Sequence, residues 1–112
     1  MAYLYFAESE GADSASDAGL FPSEGFLSTD VTAAAQTTIR FKSIVGDADG
    51  DTIIINHVTG KHKELVKCLA DALNYQGPDM YVFFDEDNQI FDKQLIDLGV
   101  VVPGTSDCII SN

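Results

Sequence analysis

"DTIIINHVTGKHKELVKCLADALNY", residues 51–75, changes its period halfway. Over residues 51–58 the positions alternate, with Ile53, Ile55 and His57 on one side and Ile54, Asn56 and Val58 on the other, which is the pattern of a strand. After Thr59-Gly60, the apolar residues Leu65, Val66, Leu69, Ala72 and Leu73 recur at the spacing of one helical face. Gly77-Pro78 stops that run, so a helix over about residues 61–75 follows the strand.

Upstream, "TTIRFKSIV" (37–45) sets Ile39, Phe41 and Val45 against Arg40, Lys42 and Ile44, a second half-buried strand. "AYLYFA" (2–7) is aromatic-rich and reads as a strand. Downstream, "MYVFFDEDNQIFD" (80–92) reads as a hairpin with its turn at Asp85 to Asn88. "QLIDLGVVVP" and "DCIISN" supply one or two closing strands, with Pro103-Gly104 turning between them. The expected class is α+β and strand-rich: a mainly antiparallel sheet, or a small partly open barrel, with one central helix at about 61–75. At 112 residues the chain makes a single domain, residues 1–112.

Residues 8–36 interrupt this order. They are rich in Gly, Ser and Ala and carry six acids and no base. They read as one long acidic loop, separable from the strand-and-helix core, and loops of that length are commonly functional. Their apolar residues Leu20, Phe21, Phe26 and Leu27 are expected to anchor in recesses of a neighbouring subunit or of the same domain. Lys61, Lys63 and Lys67 are the matching interface candidates on the helix: three of the chain's six bases, set where cations oppose the helix dipole.

The aspartates of "DADGD" (47–51) invite comparison with a calcium loop. Such a loop needs Gly at its sixth position and Glu at its twelfth, where this chain has Thr52 and Val58, and helices rather than strands on either side. Asp49-Gly50 between alternating runs is a hairpin turn instead. A weaker idea has Asp47, Asp49 and Asp51 sharing a cation with Asp85, Glu86 and Asp87, if the two acidic tips meet at one end of the sheet. Two solvated turns are the expected outcome. His57 and His62 stand five apart on different elements, so no ligand pair is expected. Cys68 and Cys108 have no C-x-x-C spacing and read as buried free thiols. No catalytic, cofactor or metal residues are assigned, and the chain is not expected to be an enzyme.

Eighteen acids against six bases give a net charge of −12, which speaks against direct nucleic-acid binding and suits a salty medium that screens self-repulsion. No apolar run is long enough to cross a membrane, and "MAYLYFAESEG" lacks a basic signal-peptide start, so a soluble protein made in a cytoplasm is expected. Taken together, "MAYLYFAESEG", "TTIRFKSIVG", "DTIIINHVTG" and above all "GKHKELVKCLADALN" followed by "VFFDEDNQIF" resemble short proteins of marine tailed phages, cyanophages especially. The resemblance covers nearly all of the chain except residues 8–36, and it implies a virion structural role. That role is a capsid decoration or other head-associated protein, with itself and the major capsid protein as partners. The alternative is a soluble intracellular ligand- or protein-binding module with a small-barrel fold.

Overall fold

A computed structural model describes residues 3–8, 18–42, 51–76 and 80–111. The elements are β1 (Tyr3–Ala7), β2 (Ala18–Pro22), a 3-10 turn (Ser23–Gly25), β3 (Phe26–Ala33), β4 (Gln36–Phe41), β5 (Asp51–Asn56), α1 (His62–Leu73), β6 (Tyr81–Asp85), β7 (Ile90–Phe91), α2 (Lys93–Asp97) and β8 (Asp107–Ser111). The strands form two four-stranded sheets, ordered β2-β1-β6-β7 and β3-β4-β5-β8. Every pairing is antiparallel except β1 with β6, whose parallel register needs the long connection that β2 to β5 and α1 provide. The strand-rich α+β class is therefore the observed one.

Alternation decides which faces meet. In β5, Asp51, Ile53 and Ile55 are buried and Thr52, Ile54 and Asn56 are half-buried. Opposite them in register lie Phe41, Ile39 and Thr37 of β4, and Ile110 and Cys108 of β8 extend the inward row. The first sheet answers with Leu4, Phe6, Phe21, Phe83 and Phe84. Leu65, Cys68, Leu69 and Ala72 of α1 close the same core along one helical stripe. Phe6 sits at the joint, with its ring centroid 5.9 Å from Phe21, 6.3 Å from Phe41 and 5.5 Å from Phe83.

Three expectations are corrected. Residues 18–33 are not loop: they form β2, the 3-10 turn and β3, while residues 9–17 of the expected loop lie outside the described residues. Phe21 and Phe26 pack on the core from either side of the turn, and β3 is an edge strand whose Ser, Thr and Asp positions need no apolar partner. A deletion through this stretch would remove core rather than a separable loop. "QLIDLGVVVP" is also not a strand. Asp92 caps α2 by accepting the Gln94 N–H at 2.7 Å, and Gly99, at φ +71°, ends the turn after it. The central helix itself is a little shorter than its periodicity suggested, His62–Leu73.

Phe6→Ala should lower the unfolding free energy by about 3–5 kcal/mol, since it opens a cavity where both sheets meet. Tyr3→Ala, at an exposed position of the same strand, should stay within about 0.5 kcal/mol. Urea denaturation followed by circular dichroism measures both, and equal effects would remove Phe6 from its place at the joint.

Candidate functional site

The only two histidines of the chain meet over one hydroxyl. The turn after β5 packs on the β3–β4 turn, with His57 N–H donating to Ala35 O at 2.9 Å and Gly60 N–H to Ala34 O at 3.1 Å. Gly60, at φ +81°, takes the left-handed bend that lets α1 start directly behind the strand. His57 and His62 thus lie 4.8 Å apart, ring edge to ring face, on either side of Thr37 from β4.

The protons can be placed by elimination. His57 Nδ1 is 2.8 Å from the Val58 carbonyl, which only accepts, so Nδ1 carries the proton. In the neutral ring Nε2 is then an acceptor, and Thr37 Oγ1 donates to it at 2.9 Å. The same Oγ1 accepts from His62 Nδ1–H at 2.8 Å. Burial pushes the His57 pKa below its ordinary 6.5; the bond to Val58 opposes this, and the neighbouring His62 adds to it. Both nitrogens of His57 are spent on protein partners, so the ring has none left to take a substrate proton or a metal. Its role is to fix the start of α1 on the second sheet.

A cleft of about 150 Å³ lies beside His57, lined by Ala35, Asn56, Val58, Val102, Thr105 and Ser106. Ligand pockets usually run to roughly 300–1,000 Å³, so this cleft falls below that range. Among the described residues no three His, Cys, Asp or Glu side chains converge as metal ligands would. Cys68 and Cys108 are separate buried thiols; burial raises the Cys68 pKa to about 11, and that of Cys108 is raised as well, again chiefly by burial.

The acidic tips behave differently from each other. Asp47 and Asp49, and the expected turn around them, lie outside the described residues. Asp51 is 1% exposed on the inward side of β5, and neither carboxylate oxygen has a hydrogen-bond partner among the described residues. Asp85 caps its own hairpin turn, accepting from Asn88 N–H at 3.1 Å and Asn88 Nδ2 at 3.0 Å. Glu86 reaches across to β8, and Asp87 is exposed.

Of the interface candidates, Phe21 is a core residue and Phe26 is half-buried against the core, so they anchor within their own domain. Leu20 and Leu27 are exposed. Lys63 and Lys67 are exposed and Lys61 is half-buried; among the described residues the one ion pair joins Arg40 to Asp30, at 2.8 Å.

The sharpest asymmetry is between the two edges of the second sheet. Along β8, Cys108 N–H donates to Glu86 Oε1 at 3.2 Å and Ile110 N–H to Glu8 Oε2 at 2.7 Å, so carboxylates from the other sheet cap this edge. At the opposite edge β3 runs eight residues, and its Val31 (64% exposed) and Leu27 (54%) are the most exposed large apolar side chains among the described residues. Sequence reading missed this strand because its run "FLSTDVTA" lacks the apolar alternation of a buried one. The L-x-T-x-V spacing at 27–31 was the signal available. No protein-family model, no curated protein and no solved structure matches the chain.

Thr37→Val should cost about 1–3 kcal/mol, because it leaves both imidazoles without their shared partner. The His57 shift also has a signature. With the folded-state pKa depressed, the unfolded chain takes up the proton first as pH falls. The stability from neutral His57 is therefore complete above about pH 7 and declines as pH drops through 6.5 and below. His57→Gln should flatten that part of the profile, read as the difference in urea midpoints between pH 7.5 and pH 5.5; an unchanged slope would count against a buried neutral ring. For Asp51, exchange to Asn should raise stability by about 1 kcal/mol at pH 7, because its carboxylate is buried with no partner among the described residues. A fall in the melting temperature would show that the carboxylate is held by a group beyond the described residues.

Proposed function

We propose that this protein is a non-enzymatic structural component of a viral particle, a capsid decoration or other head-associated protein that binds the virion surface as an oligomer. The observation that carries the reading is the open edge of β3, presenting Leu27 and Val31, on a molecule that caps the opposite edge with its own carboxylates. An exposed strand edge is a means of adding one chain to another. The polar groups with chemical potential serve inside the fold instead: His57, Thr37, Asp85 and Asp92 all have intramolecular partners. The resemblance of the strands and central helix to small proteins of marine tailed phages supplies the setting. The major capsid protein is the second partner, with the exposed Lys63 and Lys67 available to an acidic surface. For a small-molecule binding module, the cleft beside His57 is undersized.

Purified virions analysed by quantitative mass spectrometry should contain the protein at a fixed stoichiometry to the major capsid protein. Its absence from particles, with abundance only in the infected-cell lysate, would overturn the reading.

A further inference from the structure

The inward face of the second sheet runs out at β3. Thr37 and Ile39 of β4 are buried, yet their register partners in β3 are progressively exposed: Thr29, opposite Ile39, is half-buried and Val31, opposite Thr37, is open. The backbone is open there too. Lys42 N–H donates to Gly25 O at 2.8 Å, so the even-numbered residues of β4 bond towards β3. Ser28, opposite Arg40, and Asp30, opposite Thr38, take up those bonds. The alternation then turns the N–H and C=O of Thr29 and Val31 outward, away from the sheet.

We propose that β3 pairs antiparallel with β3 of a second copy about a twofold axis at Thr29, joining two second sheets into one. The proposal gives a geometry to the oligomer of the reading above, and it rests on that reading for its biological setting. Three features select a second copy as occupant. Val31 and Leu27, the extra residue where the β3 register shifts between Phe26 and Ser28, stand two residues to either side of Thr29, so a twofold axis there brings each bulge towards the other copy's Val31. The same register sets Asp30 opposite a Ser28 hydroxyl, a donor for its carboxylate, and Asp30 already carries the Arg40 ion pair. A twofold axis one residue later would set Asp30 against Asp30, directly opposed like charges. Finally, the capped β8 edge cannot extend the sheet, so pairing through β3 closes at two copies instead of running on as a fibre.

A strand pair with four apolar side chains is smaller than a standard interface, so a Kd on the order of 10 µM is expected. Both copies carry −12, so association should tighten several-fold between 50 and 500 mM NaCl as the repulsion is screened. Sedimentation equilibrium of the full chain reads both. Thr29→Pro removes an outward N–H without breaking a bond to β4, and Val31→Lys places a charge at the contact; each should give a monomer at 100 µM, with the far-ultraviolet spectrum and melting temperature kept.

Cross-linking tests the register. Directly opposed residues of such a pair lie about 5.5 Å apart at Cα, within disulfide reach. Thr29→Cys should therefore form an oxidised dimer, while Val31→Cys alone should not. Native Cys68 and Cys108 are buried and stay out of the reaction. A parent protein that stays monomeric at 100 µM in 500 mM NaCl would overturn the proposal, as would efficient cross-linking of Val31→Cys alone or association that weakens with salt. Those outcomes concern the free protein only. A monomer that nevertheless copurifies with virions would sink the dimer and leave the virion reading standing, and a dimer absent from virions would do the reverse.

Discussion

The placement of Phe41 against Phe21 and Phe26 governs the rest of the molecule. Phe21 stands next to the last residue of β2 in the first sheet and Phe26 begins β3 in the second, and both rings pack on Phe41, at 5.0 Å and 5.9 Å. The chain must therefore cross from one sheet to the other within Pro22 to Gly25, and the 3-10 turn makes that crossing. Once the crossing is fixed, β3 can only run along the outer side of β4, at the sheet edge. Phe6 then ties the same ring group to Phe83 and so to the parallel pair β1–β6. A buried aromatic group of this kind combines large apolar burial with preferred edge and offset geometries, which is why it can set an angle between layers as well as a distance.

The excess of acid is put to use by the same architecture. With six bases in the whole chain, the buried and half-buried carboxylates have few cations to pair with, and Asp85, Asp92, Glu8 and Glu86, unlike Asp51, accept from N–H and O–H groups instead. Asp92 caps α2 through Gln94 and takes the Tyr81 hydroxyl, a bond that, after burial itself, helps raise the Tyr81 pKa. Asp85 holds its hairpin turn, while Glu8 and Glu86 bridge to the backbone of β8. A carboxylate on a backbone N–H forms a charge-assisted bond without needing a long cationic side chain to be ordered, so an acidic chain can be well connected inside. Across the outer face of the second sheet neutral side chains lead to one more carboxylate. Thr32, Gln36, Asn56 and Asp107 link one to the next over all four strands.

Much of this order was legible in the sequence where burial imposes a period. The β5–α1 switch at Thr59-Gly60 and the β6–β7 hairpin follow from alternation and turn residues alone. Of the edge strands, β2 and β3 were not legible; β3 is half solvated on both faces and so carries only a weak apolar rhythm. α2 was hidden for a different reason: five residues are too few to establish a helical period, and the informative residue was the cap Asp92 rather than any apolar position. The histidine pair could not be read at all, since its spacing in the chain says nothing and its meeting point, Thr37, is twenty residues before His57. Such a site exists only after the β3–β4 turn has docked on the strand-to-helix turn.

The capped and the open edge are consequences of the two sheets being unequal partners. The groups that blunt β8 come from the first sheet, Glu8 just beyond β1 and Glu86 just beyond β6, and Cys108 Sγ–H donates to Ala7 O at the same seam. Protection of that edge is therefore tertiary: it depends on the layers being packed through the phenylalanine joint. Among the described residues β3 has no counterpart opposite it, because the first sheet ends at β2 and its last strand is drawn into the crossing turn. One packing arrangement thus closes one edge of the second sheet and leaves the other free. The free edge belongs to the folded state itself, so a partner can be recruited there without any part of the core having to open.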